Sequence, residues 1–231
     1  MDVHSPHQWD LSIQQAKAVQ QQLAKQVTLQ DQFNETRYIA GIDVGFEQQG
    51  SITRAAIALI DTQTLTPIES AIARIPTSFP YVPGYLSFRE LPAIIQALKQ
   101  LSQAPDLFHC DGQGIAHPRR FGIASHLGVI TGIPAIGIAK TRLVGEYQMP
   151  KPEKGDYTLL HDGEEQLGYV LRSRTNVKPL FISPGHRISY QTAVESVQAC
   201  LTKYKLPETT RWAHRLASDP QYREQYQPIL V

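Results

Sequence analysis

Three β-type runs follow one another on short connections: RYIAGIDVGFE (37–47), SITRAAIALIDT (51–62) and PIESAIARIP (67–76). Each is rich in Ile and Ala with polar interruptions, and turn segments such as EQQGS separate them. Strands joined so tightly pair antiparallel, as a meander. The pattern then changes. SFRELPAIIQALKQLSQ places Leu91, Ile94, Ile95 and Leu98 at helical spacing, PDLFHCDG is a short apolar run ending in a turn, and PAIGIAK is another short strand. Between those two runs, RRFGIASHLGVITG reads as a helix that begins at Arg119 and Arg120. Strand–helix–strand alternation needs a crossover and so predicts parallel pairing. The expected architecture is α/β, with a mixed central sheet (three antiparallel strands, then parallel strands) flanked by helices.

Elsewhere, DLSIQQAKAVQQQLAKQV reads as a surface helix with Asp10 as its N-cap. YTLLHD and QLGYVLRSR flank Gly163 as a hairpin, and PLFISPG is a strand ending at a turn, which puts Gly185 and His186 in a loop. YQTAVESVQACLTKY and TTRWAHRLASDP close the chain as helices, and MPKPEKGD (149–156) reads as a mobile loop. With no repeat and no low-complexity linker, residues 1–231 are expected to form one domain.

Composition narrows the function classes. Of 231 residues, 42% are hydrophobic and 19% charged, and the net charge is +1. No global basic field announces a nucleic-acid partner, so any polyanion site must be a local patch. Arg119, Arg120, Arg142 and the C-terminal basic residues are its candidates. The two cysteines, Cys110 and Cys200, lack zinc-site spacing and suit a reducing compartment. The N-terminus has no signal-peptide pattern, and no apolar run approaches the roughly 18 residues of a membrane span. These features set the expectation of a soluble, cytoplasmic, monomeric protein.

The chemistry is carried by acids near strand ends. In IAGIDVGF, Ile42, Val44 and Phe46 take one face, and Gly41, Asp43 and Gly45 the other. An acid between two glycines has room for a ligand or ion, although an edge-strand Asp facing water fits the same pattern. Asp111 ends an apolar strand beside Gly112 and Gly114, where α/β sheets bind ligands and where Asp-Gly also makes ordinary turns. Ser87-Phe88-Arg89-Glu90 fits a capping box, which by itself makes Glu90 a cap and leaves Pro92 early in its helix. Taken together, three converging carboxylates repel unless a cation joins them, and hard oxygen ligands suit Mg²⁺ or Mn²⁺. Such a metal can activate water and stabilise the leaving oxygen of a phosphodiester.

Basic groups point the same way. Arg119 and Arg120 at a helix start favour phosphate. Lys140, following AIGIA, can meet developing negative charge or simply snorkel at a strand end. His214 can ligate metal or orient water, or be a solvated helix histidine, and His117 before Pro118 is a plausible turn residue. One stretch fits none of these roles: in FPYVPGY, Pro80 and Pro83 clamp Tyr81 and Val82.

GIDVGF, PYVPGYLSFRE, DGQGIAHPRRFGIASHLG, GIAKTRL, SPGHRIS and LPETTRWAH, in this order and spacing, resemble the endonuclease V family nearly end to end. The resemblance implies an RNase H-like fold and a DNA repair endonuclease. The enzyme would recognise deoxyinosine and hydrolyse the second phosphodiester bond on its 3′ side, leaving 3′-hydroxyl and 5′-phosphate ends. It implies Asp43 and Asp111 as ligands of Mg²⁺, for which Mn²⁺ substitutes, with Glu90, Lys140 and His214 completing the catalytic set. Pro80, Tyr81, Val82 and Pro83 match the family's strand-separating wedge. Leu86, Gly112 and Ile123 match a lesion pocket built largely of backbone groups, with Gly84, Gly114, His117 and Arg119 as further substrate contacts. The alternatives are an inosine-directed ribonuclease or structure-specific nuclease on the same fold, and a non-catalytic nucleic-acid-binding module.

Overall fold

In the computed structural model, residue 3 and residues 5–218 are described. The first strands form as their composition dictates. β1 (Tyr38–Glu47), β2 (Ile52–Asp61) and β3 (Thr66–Pro76) are an antiparallel meander. Along β2 the larger Ile57 and Leu59 pack toward one face, whereas Ala56, Ala58 and Ile60 pack toward the other. β2 must therefore be covered on both sides, and its fully buried alanines admit a helix at close range.

β4 (Leu107–Cys110) pairs parallel to β1, and β5 (Ala135–Ala139) parallel to β4. α2 (Leu86–Leu98) and α3 (Ile123–Thr131) supply the crossovers and lie on one face, over a core of Ile42, Ile57, Leu91, Ile94, Phe108 and Leu127. The sheet continues beyond the parallel strands, which the sequence pattern did not predict. β6 (Glu146–Tyr147), β7 (Tyr157–Asp162), β8 (Glu165–Leu171) and β9 (Leu180–His186) add an antiparallel half. The nine strands run β3-β2-β1-β4-β5-β9-β8-β7-β6. The second face is covered by α4 (Tyr190–Ala199) and α5 (Glu208–Ser218). The last two residues of the expected closing helix, 219–220, lie outside the described residues.

Several local expectations need correction. The first helix, α1 (Ile13–Leu23), is capped by Ser12 rather than Asp10, with Gln15 completing the capping box. α2 begins at Leu86, so Pro92 is its seventh residue and removes a bond to the Phe88 carbonyl. Gly185 and His186 belong to β9 rather than to a loop. Segment 149–156 is a loop, but a pinned one: Arg172 donates to the Pro150 and Lys151 carbonyls, and Lys154 to the Thr202 carbonyl.

Candidate active site

Register brings the strand residues together. Ile42 pairs with Cys110 across β1 and β4, and both side chains join the α2/α3 core. The next residues, Asp43 and Asp111, therefore face the α4/α5 side. On β5, Ile138 packs toward α4, and Lys140, two residues on, takes that side as well. The Lys140 ammonium is paired with the Asp111 carboxylate.

The glycines around Asp43 do not clear space for a ligand, as their alternation suggested. A Cβ on Gly41 would lie 2.0 Å from the Thr209 carbonyl oxygen, and one on Gly45 would lie 2.9 Å from that of Ala217. They let the α5 backbone settle against β1, helped by Arg54, which donates to the Leu216 carbonyl at 2.5 Å. Seated there, α5 presents His214 to Asp43, with Nδ1 2.7 Å from Oδ2. The other Asp43 oxygen accepts the Val44 amide at 2.8 Å.

Glu90 approaches the two aspartates from α2, near enough to feel their charges. Its capping box does not form: Tyr85 is the N-cap, and the Ser87 hydroxyl lies 3.0 Å from His126 Nδ1. Burial, and then the charges of Asp43 and Asp111, push the Glu90 carboxyl up to about 8. Asp111 is pushed up to about 6 by burial and by Asp43, against the pull of Lys140. Carboxylates crowded to this degree want a cation. Asp43, Asp111 and His214 each offer a ligand atom, all within 4.8 Å of one another. Two hard oxygens and an imidazole nitrogen at that spacing could hold a divalent ion, with His214 beside the two expected aspartates.

Two cavities meet at Asp111 and Lys140. One, of about 590 Å³, is polar and holds Asp43, Glu47, Arg54 and His214. The other, of about 510 Å³, is lined by Tyr81, Pro83, Gly84, Leu86, Gly112 and Ile123, and by Glu90. Tyr81 is 69% exposed, so its ring projects from the loop. Gly112, at φ +147°, has no room for a Cβ, which would meet Ile123 Cγ2 at 2.7 Å.

Not every expected contact residue reaches this cavity. Pro80 is exposed outside it, and Val82 packs against Phe79, Tyr85 and Phe88. Gly114 is buried against the Pro184 carbonyl and donates its amide to Ser183 Oγ, so its role is packing. Arg119 and Arg120 precede α3, whose N-cap is Gly122. Arg120 is bound to Asp162 and Glu165, and Arg119 to the Gly84 carbonyl. His117 lines the cavity, but both ring nitrogens already have protein partners, the Gly84 carbonyl and the Arg119 amide. Sequence reasoning missed Leu143, an apolar side chain left 45% exposed at the cavity, and Gln113 beside Gly112. Leu143 ends the GIAKTRL block, the one signal that pointed to it.

The family model for Endonuclease V matches residues 21–215. A curated Endonuclease V from Rippkaea orientalis is 55% identical over 208 residues, 90% of this chain and 91% of its own length. The crystal structure of the Endonuclease V from Streptomyces avermitilis is similar with a TM-score of 0.87 at 38% identity, over 98% of this chain and 100% of that one. A Ciona intestinalis Endonuclease V in complex with a 24mer DNA containing an inosine followed by a ribo-adenosine has a TM-score of 0.77 at 25% identity, over 92% and 97% of the two chains.

Proposed function

The chain belongs to the endonuclease V family, with the RNase H-like fold of its structural relatives, and from that premise we propose that it recognises deoxyinosine in DNA and cuts the second phosphodiester bond on its 3′ side. It is a nuclease, and the finer assignment rests on one observation. The cavity beside the projecting Tyr81 shares Asp111 and Lys140 with the acid cluster, so a displaced base and a nearby phosphate can be held at once. The inosine-containing DNA bound by the Ciona relative supports the same substrate class.

Prising a base from the stack costs a few kcal/mol, and an inserted side chain takes up the vacated space. Tyr81 is that side chain. Hypoxanthine lacks guanine's exocyclic amine, and the cavity lined by Leu86, Gly112 and Ile123 is where that difference would be read. Asp43 and Asp111, with His214, would hold Mg²⁺ (or Mn²⁺), which when bound supplies an activated water and neutralises charge on the leaving oxygen. Glu90, pushed up to about 8, is suited to hold or move a proton near neutral pH. Lys140 stands beside Asp111 to meet negative charge as it develops on the phosphate. His214 fixes the orientation of the Asp43 carboxylate.

The test is an end-labelled duplex carrying one deoxyinosine, with Mg²⁺, an EDTA control and an undamaged control. A nick one nucleotide beyond the lesion on its 3′ side, leaving a 3′-hydroxyl, is the expected product. Asp43→Ala and Asp111→Ala should each lower cutting by at least ~10²-fold, the scale of losing a group that stabilises transition-state charge. Both should retain lesion binding, because the pocket and Tyr81 remain. Full activity in either variant at matched Mg²⁺ overturns the metal assignment, and a matched RNA strand cut in preference overturns DNA as the substrate.

A further inference from the structure

Gly84, at φ +80°, follows the Pro80–Pro83 segment directly, and its carbonyl accepts from three side chains. Gln20 Nε2 donates at 2.9 Å, Arg119 Nη2 at 2.5 Å and His117 Nε2 at 3.1 Å. A carbonyl has two lone pairs, so three donors converging on one oxygen more than fill its capacity and fix the direction of that peptide. The donors also fix one another. His117 Nδ1 accepts the Arg119 amide at 3.1 Å, which leaves the proton on Nε2 for Gly84. Burial pushes this imidazole down to about 4, so it stays neutral near pH 7. Gln20 Oε1 accepts from Arg119 Nε at 2.5 Å, which turns the amide NH₂ toward Gly84. The Arg119 guanidinium then lies 4.2 Å from the centre of the Tyr85 ring, the next residue along.

Gln20 is the unexpected member. It sits on the inner face of α1, 1% exposed, beside the apolar Ala16 and Leu23. A buried amide is costly unless its polar atoms are satisfied, and here both are. The Tyr81 ring, by contrast, stands out in solvent. Its loop is held at two ends: Arg89 donates to the Phe79 carbonyl at 2.7 Å in front, and the Gln20–Arg119–His117 group holds Gly84 behind. We propose that Gln20 is a positioning residue for the strand-separating loop, setting the height of Tyr81 above the base pocket through the Gly84 carbonyl. This rests on the wedge role of Tyr81 and extends it to α1, while His117 and Arg119 serve the same anchor.

A wedge matters only where an opposing strand must be parted. The experiment therefore compares kcat/KM, at matched Mg²⁺, on two substrates that share one deoxyinosine strand. One is fully paired, and the other is annealed to a complement lacking the nucleotides opposite the lesion. Gln20→Leu removes the amide's bonds to Gly84, Phe121 and Arg119. Gln20→Glu keeps an acceptor for Arg119 but loses the donor to Gly84, and it carries the test if the leucine variant does not fold. Both should lose about tenfold on the paired substrate, the scale of one buried hydrogen bond, and less than about twofold on the gapped one. Equal losses on the two substrates, or none on either, overturn the positioning role. Tyr81→Ala on the same pair separates the two readings. If its paired-to-gapped ratio is unchanged, the wedge itself fails. If that ratio falls while those of both Gln20 variants hold, Gln20 alone fails.

Discussion

At the scale of the residue, Glu90 shows how far surroundings override local grammar. Its S-x-x-E spacing is that of a helix cap, yet the serine hydroxyl turns to His126 and the carboxyl enters the acid cluster. A group raised from the ordinary 4.5 to about 8 gives stability that is fully present below 4.5 and lost as pH rises through 8. The buried histidines have the opposite sign. Burial holds His109 at about 3, and His117 and His186 at about 4, so their contribution is present above 6.5 and lost as pH falls. The interval between pH 6.5 and 8 therefore belongs to Glu90. In EDTA, the urea midpoint should fall across it by the equivalent of about 1–2 kcal/mol, and Glu90→Gln should flatten that fall. Mg²⁺ should lessen the fall in the unaltered protein, because a cation offsets the carboxylate's cost. A slope that persists in the Gln variant assigns it to another group.

At the scale of the element, α5 is the part on which assembly of the site depends. Its contribution to the site, His214, reads by itself as a solvated helix histidine, four residues before the helix's last residue, Ser218. What seats it is β1. Gly41 lets the Thr209 carbonyl approach, and His109 of β4 holds the same residue through its hydroxyl at 2.9 Å. Gly41→Ala should cost roughly 1–3 kcal/mol of stability, the range for overpacking, or more because the clash is with backbone. It should also lower cutting by shifting His214 off Asp43. Urea denaturation and the deoxyinosine nicking assay measure the two effects. Normal activity in a destabilised variant would mean that His214 need not touch Asp43.

At the scale of the whole molecule, a net charge of +1 leaves nucleic-acid binding to local groups. The stripe expected from Arg119, Arg120 and Arg142 does not form as such, and its part beyond Ser218 lies outside the described residues. Arg120 is held by two carboxylates and Arg119 is turned inward to Gly84. Arg142 is exposed at the base cavity, with one guanidinium nitrogen on the Gly145 carbonyl. Arg142→Gln should therefore reduce the slope of log K against log salt for deoxyinosine DNA by about one unit, and Arg120→Gln should leave it unchanged. The reverse pattern would place the DNA backbone on the β7–β8 side.

Much of this molecule was legible in its residues. The meander, the parallel crossover strands and the hairpin around Gly163 follow from periodicities of two and 3.6, which are local properties. So does the convergence of Asp43 and Asp111, because each ends or interrupts an apolar strand. That the Gly163 hairpin and β9 extend the same sheet was not legible, because β9 pairs β5 across some 45 residues and nothing local encodes that choice. Nor was the purpose of Gly41, which looks like space for a ligand until a helix more than 160 residues later fills it. Gln20 is one glutamine among several in α1, distinguished only by what it meets: a carbonyl 64 positions away. Side-chain chemistry and repeat period belong to the chain. Which buried polar atom finds which partner is decided by tertiary packing, because a hydrogen bond is set by distance in space and not by separation in sequence.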